Sequence, residues 1–229
     1  MQNFTLMILA AGFGTRMEFL TNNIPKPLLQ IKNTTLLTNT INFFESLGCN
    51  KFIINTHYLH ENLKNYIYLQ HTNKNIKLIH EPEILDTGGG VKNSLKYFDS
   101  KNFLVTNSDI YWGEDNIEDV SEFIKLIDKP ESYHLLLSNH ENTEGIKRNN
   151  GDFVIDNSRV RRWLEGDPFL FFSGLQILNP KIFKNITSNK FSMNKIWNKL
   201  ILEKKLKARI MISKLYHIGD IKTFNKIVS

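Results

Sequence analysis

An alternation of strand-like and helix-like segments over the first 130 residues constrains this chain more than any other feature. TLMILA (5–10) is a short apolar run of the buried-strand type, and TTLLTNTINFFESLG (34–48) carries apolar residues at helical spacing up to Gly48, a residue suited to ending a helix. KFIINTHY (51–58), NIKLIHE (75–81) and NFLVTNSD (102–109) repeat the strand signal. ENLKNYIYLQH (61–71), GGVKNSLKYF (89–98) and EDVSEFIKLID (118–128) repeat the helix signal. This order predicts an α/β fold with a mostly parallel central sheet and helices on both faces. Beyond Pro130 the pattern changes: YHLLLSNH, GDFVIDN and LFFSGLQILN read as strands with little helix between them, so the sheet becomes mixed. FSMNKIWNKLILEKK (191–205) reads as an amphipathic helix, ARIMISKLYHIG (208–219) as a short strand and DIKTFNKIVS (220–229) as a closing helix. No repeat, linker or low-complexity stretch divides the sequence, which reads as a single domain, 1–229, with halves 1–130 and 131–229.

Composition narrows the function classes. A chain of 229 residues with 41% hydrophobic and 23% charged content can bury a full core. No apolar run approaches the roughly 20 residues that cross a bilayer, and MQNFTLMILAAG lacks the basic start of a signal peptide. The single cysteine, Cys49, excludes an internal disulfide, and the expected location is cytoplasmic. The formal charge of +6 raises nucleic acid as a partner, but the lysines are scattered and the densest patches are only KRNNGD and RVRRW. No nucleic acid and no membrane is the expectation; a basic surface also draws in a polyanionic small substrate.

In an open α/β sheet, ligands sit beyond the carboxyl ends of the strands. Three polar clusters fall there: AAGFGTR (10–16), DTGGG (86–90) and NSD (107–109). The first is not a dinucleotide fingerprint, since Met17 stands where the third glycine belongs, and no Lys-Ser or Lys-Thr makes it a P-loop. What remains is either a loop whose backbone N–H groups approach an anion closely at Gly12 and Gly14, or a plain turn. Arg16 adds a fork suited to phosphate oxygens, and Lys26, between Pro25 and Pro27, is expected to be extended. The glycines at 88–90 read as the opening of a helix, where backbone and dipole favour an anion, or as a flexible loop. Glu81 either bonds a ligand or faces water. Asp109 ends its strand where a carboxylate would hold Mg²⁺ beside phosphates, or cap a turn. His217 is a ligand or a half-buried histidine, and Asp220 a helix N-cap. No zinc spacing and no nucleophile elbow is present in the sequence.

These residues resemble a known family. LAAGFGTRMEFLTNNIPKPLL (9–29) is similar to the LAAG-x-GTRM…LT…PKPL signature of sugar-1-phosphate nucleotidylyltransferases, and INTHYL, EPEILDTGGGVKNSL, NFLVTNSD, NNGDF, FSGLQILNP, FSMNKIW and HIGDIKTF extend the likeness along the chain. Its short length resembles the small bacterial group of N-acetylmuramate-1-phosphate uridylyltransferases, which serves peptidoglycan recycling. The resemblance implies a Rossmann-like nucleotidyltransferase fold and in-line attack of a sugar phosphate oxygen on the α-phosphorus of a nucleoside triphosphate. By motif position Ala11, Gly12, Gly14 and Thr15 would cradle the nucleotide, Arg16 the triphosphate, and Lys26 the α-phosphate. Gly88 and Gly89 would approach the base and ribose, Glu81 would also bind the nucleotide, and Asp109 would hold Mg²⁺. The acceptor would lie near Asn139, Asp152, Ser173 and Gly174 in the second half. Many relatives carry a second metal-binding aspartate where this chain has His217, a poorer ligand for hard Mg²⁺. The implied substrates are UTP and N-acetylmuramate 1-phosphate. The implied alternatives are a mannose-1-phosphate guanylyltransferase, a phosphocholine cytidylyltransferase, or a catalytically silent sugar-nucleotide sensor, as a monomer or homodimer.

Overall fold

Side chains alternate across the first strand, β1 (Phe4–Leu9): Leu6 and Ile8 enter one core and Met7 the other. A strand apolar on both faces needs helices on both, and the chain supplies them. A computed structural model describes residues 3–99, 101–157 and 159–228. After β1 come the small hairpin β2 (Gln30–Ile31) and β3 (Thr34–Thr35), α1 (Leu36–Ser46), β4 (Cys49–Thr56), α2 (His60–Gln70) and β5 (Ile76–His80). Next are α3 (Asp86–Ser94), β6 (Phe103–Asn107), β7 (Ile110–Tyr111), α4 (Ile117–Ile124), β8 (His134–Asn139) and β9 (Thr143–Glu144). The chain ends with β10 (Phe153–Asp156), β11 (Arg159–Arg162), β12 (Leu170–Leu178), α5 (Met193–Leu202), β13 (Lys207–Met211), β14 (Leu215–His217) and α6 (Ile221–Val228). The closing helix expected to reach Ser229 is described as far as Val228; Ser229 lies outside the described residues.

The central sheet runs β11-β10-β12-β6-β1-β4-β5, with β8 and β13 attached through β12. Strands β5, β4, β1 and β6 are parallel, and β12 lies antiparallel to β6. The predicted α/β class, mostly parallel and then mixed, is what the structure has. Leu37, Ile41 and Phe44 of α1, Leu63 of α2 and Val120 and Phe123 of α4 pack on the Leu6 face. Val91 of α3 and Met193, Ile196 and Leu200 of α5 pack on the Met7 face. The Thr35 hydroxyl accepts the Thr38 amide at 3.1 Å and caps α1. No helix among the described residues is long and apolar enough to cross a membrane.

Three local expectations change. RVRRW is not merely a basic patch: its first four residues are the edge strand β11, paired with β10. ARIMISKLYHIG is two strands in different sheets, broken because the Asp119 carboxylate of α4 accepts the amides of Ile212 (2.9 Å) and Ser213 (2.8 Å). Lys26 opens a single 3-10 turn (Lys26–Leu28) instead of staying extended, held by Leu28 N–H to Pro25 C=O (2.8 Å) and Leu29 N–H to Lys26 C=O (3.1 Å).

Candidate active site

Four parallel strands end on one edge of the sheet, and the chain that leaves them builds a cleft of about 400 Å³. After β1 the chain turns at Gly14, whose φ of 69° is a region that favours glycine, into the 3-10 segment Thr15–Thr21. A Cβ on Gly14 would also press on Lys26 Cβ at 3.1 Å and Thr21 Cγ2 at 3.2 Å. Gly12 faces open space, with nothing within 4 Å of a Cβ placed there. Ala11, Gly12, Gly14, Thr15 and Arg16 all line the cleft, as do Lys26, Glu81 and Asp109. Among the described residues Arg16 makes no ion pair, so its guanidinium is available to an anion in the cleft.

Lys26 and Asp109 meet across the cleft, Nζ to Oδ2 at 2.8 Å, both largely buried. The three-stranded sheet β7-β14-β9 brings the C-terminal region to this point: His217 pairs with Ile110, and its Nε2 lies 3.4 Å from the same Asp109 oxygen. Burial pushes the Asp109 carboxyl up, but the Lys26 ammonium and the His217 ring outweigh it, and the net direction is well below the usual carboxylate range. Asp109 is therefore an anion throughout the physiological range. Its other oxygen, Oδ1, is buried with no partner, as is His217 Nδ1. An orphaned carboxylate oxygen in a wall that also carries Arg16 and Lys26 is a fitting ligand for a divalent cation. Among the described residues no group of three or more His, Cys, Asp or Glu converges anywhere, so substrate oxygens would have to complete the coordination of a cation here.

The remaining predicted residues divide. Glu81 lines the cleft but is 1% exposed, and both carboxylate oxygens are engaged within the protein, Oε1 by Asn55 Nδ2 (2.8 Å) and Oε2 by Leu85 N–H (3.2 Å). Gly88 and Gly89 lie inside α3, not ahead of it, and neither lines the cleft. Their missing side chains make room for the protein itself: a Cβ on Gly88 would meet the Phe191 ring at 2.5 Å, and one on Gly89 the Asn189 carbonyl at 2.2 Å. Asp152 lines a second cavity of about 370 Å³ that shares Arg16 and Asn107 with the cleft and reaches His217. Ser173 and Gly174 line neither cavity; they form the irregularity in β12 between Phe172 and Gln176, with Gly174 at φ 92°. Asn139 stands at the exposed end of β8, and its carbonyl accepts the Thr143 hydroxyl at 2.7 Å.

Several wall residues were not singled out in the sequence, although Thr87 and Asn107 lie inside the DTGGG and NSD clusters. Asn55 accepts the Ala10 amide at 3.0 Å and so fixes the start of the glycine loop. Asn107, Thr87, Lys147, Arg148 and Trp197 also line the two cavities. For Asn55 and Asn107 a signal existed: each follows an apolar run at the carboxyl end of a parallel strand. For Arg148, in the loop between β9 and β10, and Trp197, on α5, there was none, since their placement at the cavity depends on long-range packing.

Comparison with known proteins follows the same lines. The chain is 24% identical over 221 residues to the N-acetylmuramate alpha-1-phosphate uridylyltransferase of Caulobacter vibrioides, covering 93% of this chain and 91% of that protein. It is 31% identical over 187 residues to the protein of the same name from Neisseria meningitidis, covering 79% and 77%. Among solved structures, HddC from Yersinia pseudotuberculosis complexed with GMP-PN superposes with a TM-score of 0.79 at 26% identity over 98% of both chains. A family profile described as "Nucleotidyl transferase" matches residues 5–165, and the chain belongs to that family.

Proposed function

We propose that the protein transfers a uridylyl group from UTP to N-acetylmuramate 1-phosphate and releases pyrophosphate. The observation that carries a nucleotidyl transfer is the meeting of Lys26 and Asp109, 83 residues apart in sequence, at 2.8 Å on a wall that also holds Gly12, Gly14 and Arg16. The choice of sugar and base leans on two near-full-length relatives of that name. In the reaction an oxygen of the acceptor phosphate bonds to the α-phosphorus of the nucleotide. The bond from that phosphorus to the bridging oxygen breaks, and pyrophosphate leaves with the electron pair.

The chain's part is positioning and charge. Backbone N–H groups at Gly12 and Gly14 approach the triphosphate, and Arg16, at the junction of the two cavities, meets the charge carried away by pyrophosphate. Lys26 faces the charge that builds on the attacked phosphoryl group, and Asp109 holds the ammonium in place until substrate arrives. Asp109, with His217 beside it, would hold Mg²⁺, which when bound neutralises triphosphate charge. Cleft and second cavity meet at Arg16 and Asn107, an arrangement that suits a donor nucleotide in one and an acceptor in the other.

A guanylyl transfer is the second reading, favoured by the fold's likeness to a protein complexed with GMP-PN. Pyrophosphate release measured with UTP, GTP and CTP against N-acetylmuramate 1-phosphate, mannose 1-phosphate and phosphocholine tests the proposal. Release is expected with UTP and N-acetylmuramate 1-phosphate. Release with GTP and mannose 1-phosphate supports the second reading, and release with no pair supports a catalytically silent sensor.

A further inference from the structure

We infer that Arg148 reads a carboxylate on the acceptor, so that the second cavity selects an acidic sugar 1-phosphate over a neutral one; this rests on the reading that the cavity takes the acceptor. The cavity wall carries Arg16, Lys147 and Arg148 against the single carboxylate of Asp152. Arg16 lies at the edge shared with the cleft and serves phosphate there. A neutral sugar has no use for the two further cations, and desolvating them against it costs free energy. Lys147 is already tied to Asp220 at 3.2 Å, the residue that accepts the Thr223 amide at the start of α6.

Arg148 is held differently. One guanidinium nitrogen lies 2.6 Å from Asp152 Oδ2, and the group sits over the Phe171 ring at 5.2 Å. Asp152 is itself fixed, because the same oxygen accepts the Phe172 amide at 2.9 Å. The guanidinium is thus oriented from two sides before any ligand arrives. Asp152 engages only part of a fork with five donors, and the rest of that fork matches a second carboxylate. N-acetylmuramate differs from N-acetylglucosamine by a lactyl ether that ends in a carboxylate, so the two 1-phosphates isolate this contact. Asp152 is then a positioning residue: it acts through Arg148 and need not touch the sugar.

The test is the ratio of kcat/KM for these two acceptors, measured by pyrophosphate release with the nucleoside triphosphate that the enzyme uses. The wild-type chain is expected to favour N-acetylmuramate 1-phosphate. Arg148→Gln is expected to lower that ratio about 10–100-fold, chiefly through KM, as loss of a charge-assisted pair does. Arg148→Lys, which keeps the charge without the fork, recovers part of it and serves where the glutamine variant folds poorly. A ratio unchanged in Arg148→Gln, or equal losses on both acceptors, overturns the inference alone. A wild-type chain that favours the neutral acceptor overturns both the inference and the proposed choice of N-acetylmuramate 1-phosphate as acceptor.

Discussion

At the scale of single residues, Asp109 decides the most. It is a largely buried anion that one strand edge presents to an ammonium from the first loop and an imidazole from the last strand. Removing Lys26 leaves that charge with His217 alone. Lys26→Met is expected to lower kcat about 10²–10³-fold, as loss of a positioned charge in a developing-charge site does. It is also expected to cost about 3 kcal/mol of stability, since a buried carboxylate loses its principal partner. The pH dependence has a definite sign. In the wild type the folded carboxyl is shifted down, so its contribution is present above the unfolded value of about 3.9 and is lost as pH falls through the folded one. In Lys26→Met the ammonium that helps to outweigh burial is gone, and the carboxyl rises from its wild-type position. Urea unfolding from pH 3 to 8 should therefore show a deficit relative to wild type that is full near neutrality and shrinks in acid. The double variant Lys26→Met/Asp109→Asn should regain stability without regaining turnover. A deficit that does not change with pH contradicts this account of the pair.

At the scale of elements, glycines of two kinds look alike in the sequence and differ in the structure. Those of α3 are packing residues: Gly89 N–H donates to Phe191 C=O at 2.9 Å, Phe191 N–H to Leu85 C=O at 3.1 Å, and Met193 N–H to the Thr87 hydroxyl at 2.9 Å. This lashes the start of α3 to the segment that leads into α5. Gly89→Ala would gain about 1 kcal/mol of helix propensity but drive a methyl into the Asn189 carbonyl. The clash wins, and a net loss of about 2 kcal/mol in unfolding free energy is expected. Gly12→Ala is the opposite case, with open space at its Cβ. Its unfolding free energy should stay within about 0.5 kcal/mol of wild type, while turnover should fall at least about tenfold if, as proposed, the methyl stands where the triphosphate approaches. The contrast also shows what a linear reading can see. The periods of β1, β4, α1 and α5 are carried by neighbouring residues, and the glycine loop and Asp109, in the turn just past β6 rather than at the end of the strand, lie where the topology of parallel sheets puts ligands. The purpose of Gly88 and Gly89 is set by Phe191 and Asn189, a hundred residues later, and the break at Ile212 by Asp119, ninety-three residues earlier. Contacts of that range leave no local pattern.

At the scale of the whole molecule, the sheet does not respect the division of the sequence at residue 130. β12 belongs to the second half, yet it pairs with β6 of the first half over Phe103–Thr106 and carries β8 and β10 on its other contacts. Each of the two large cores mixes residues from both halves: Leu104 packs in the same cluster as Ile177, and Val105 in the same cluster as Leu178. A fragment ending at 130 would expose β6 as a long apolar edge and lose both cores' second walls. We therefore expect residues 1–130 alone to show no cooperative urea transition. The full chain should unfold in one step, and its tryptophans allow that to be checked half by half. Trp112 is buried against Phe43 and Phe44 in the first half, while Trp163 and Trp197 lie in the second, Trp197 against Phe153 and Phe172. Trp112→Phe reports the second half, and Trp163→Phe/Trp197→Phe the first. Each variant's fluorescence midpoint should coincide with its own far-ultraviolet circular dichroism midpoint, the mark of a two-state transition. Separated midpoints within either variant, or a cooperative fragment 1–130, would mean that the first half folds without the strand that completes its sheet.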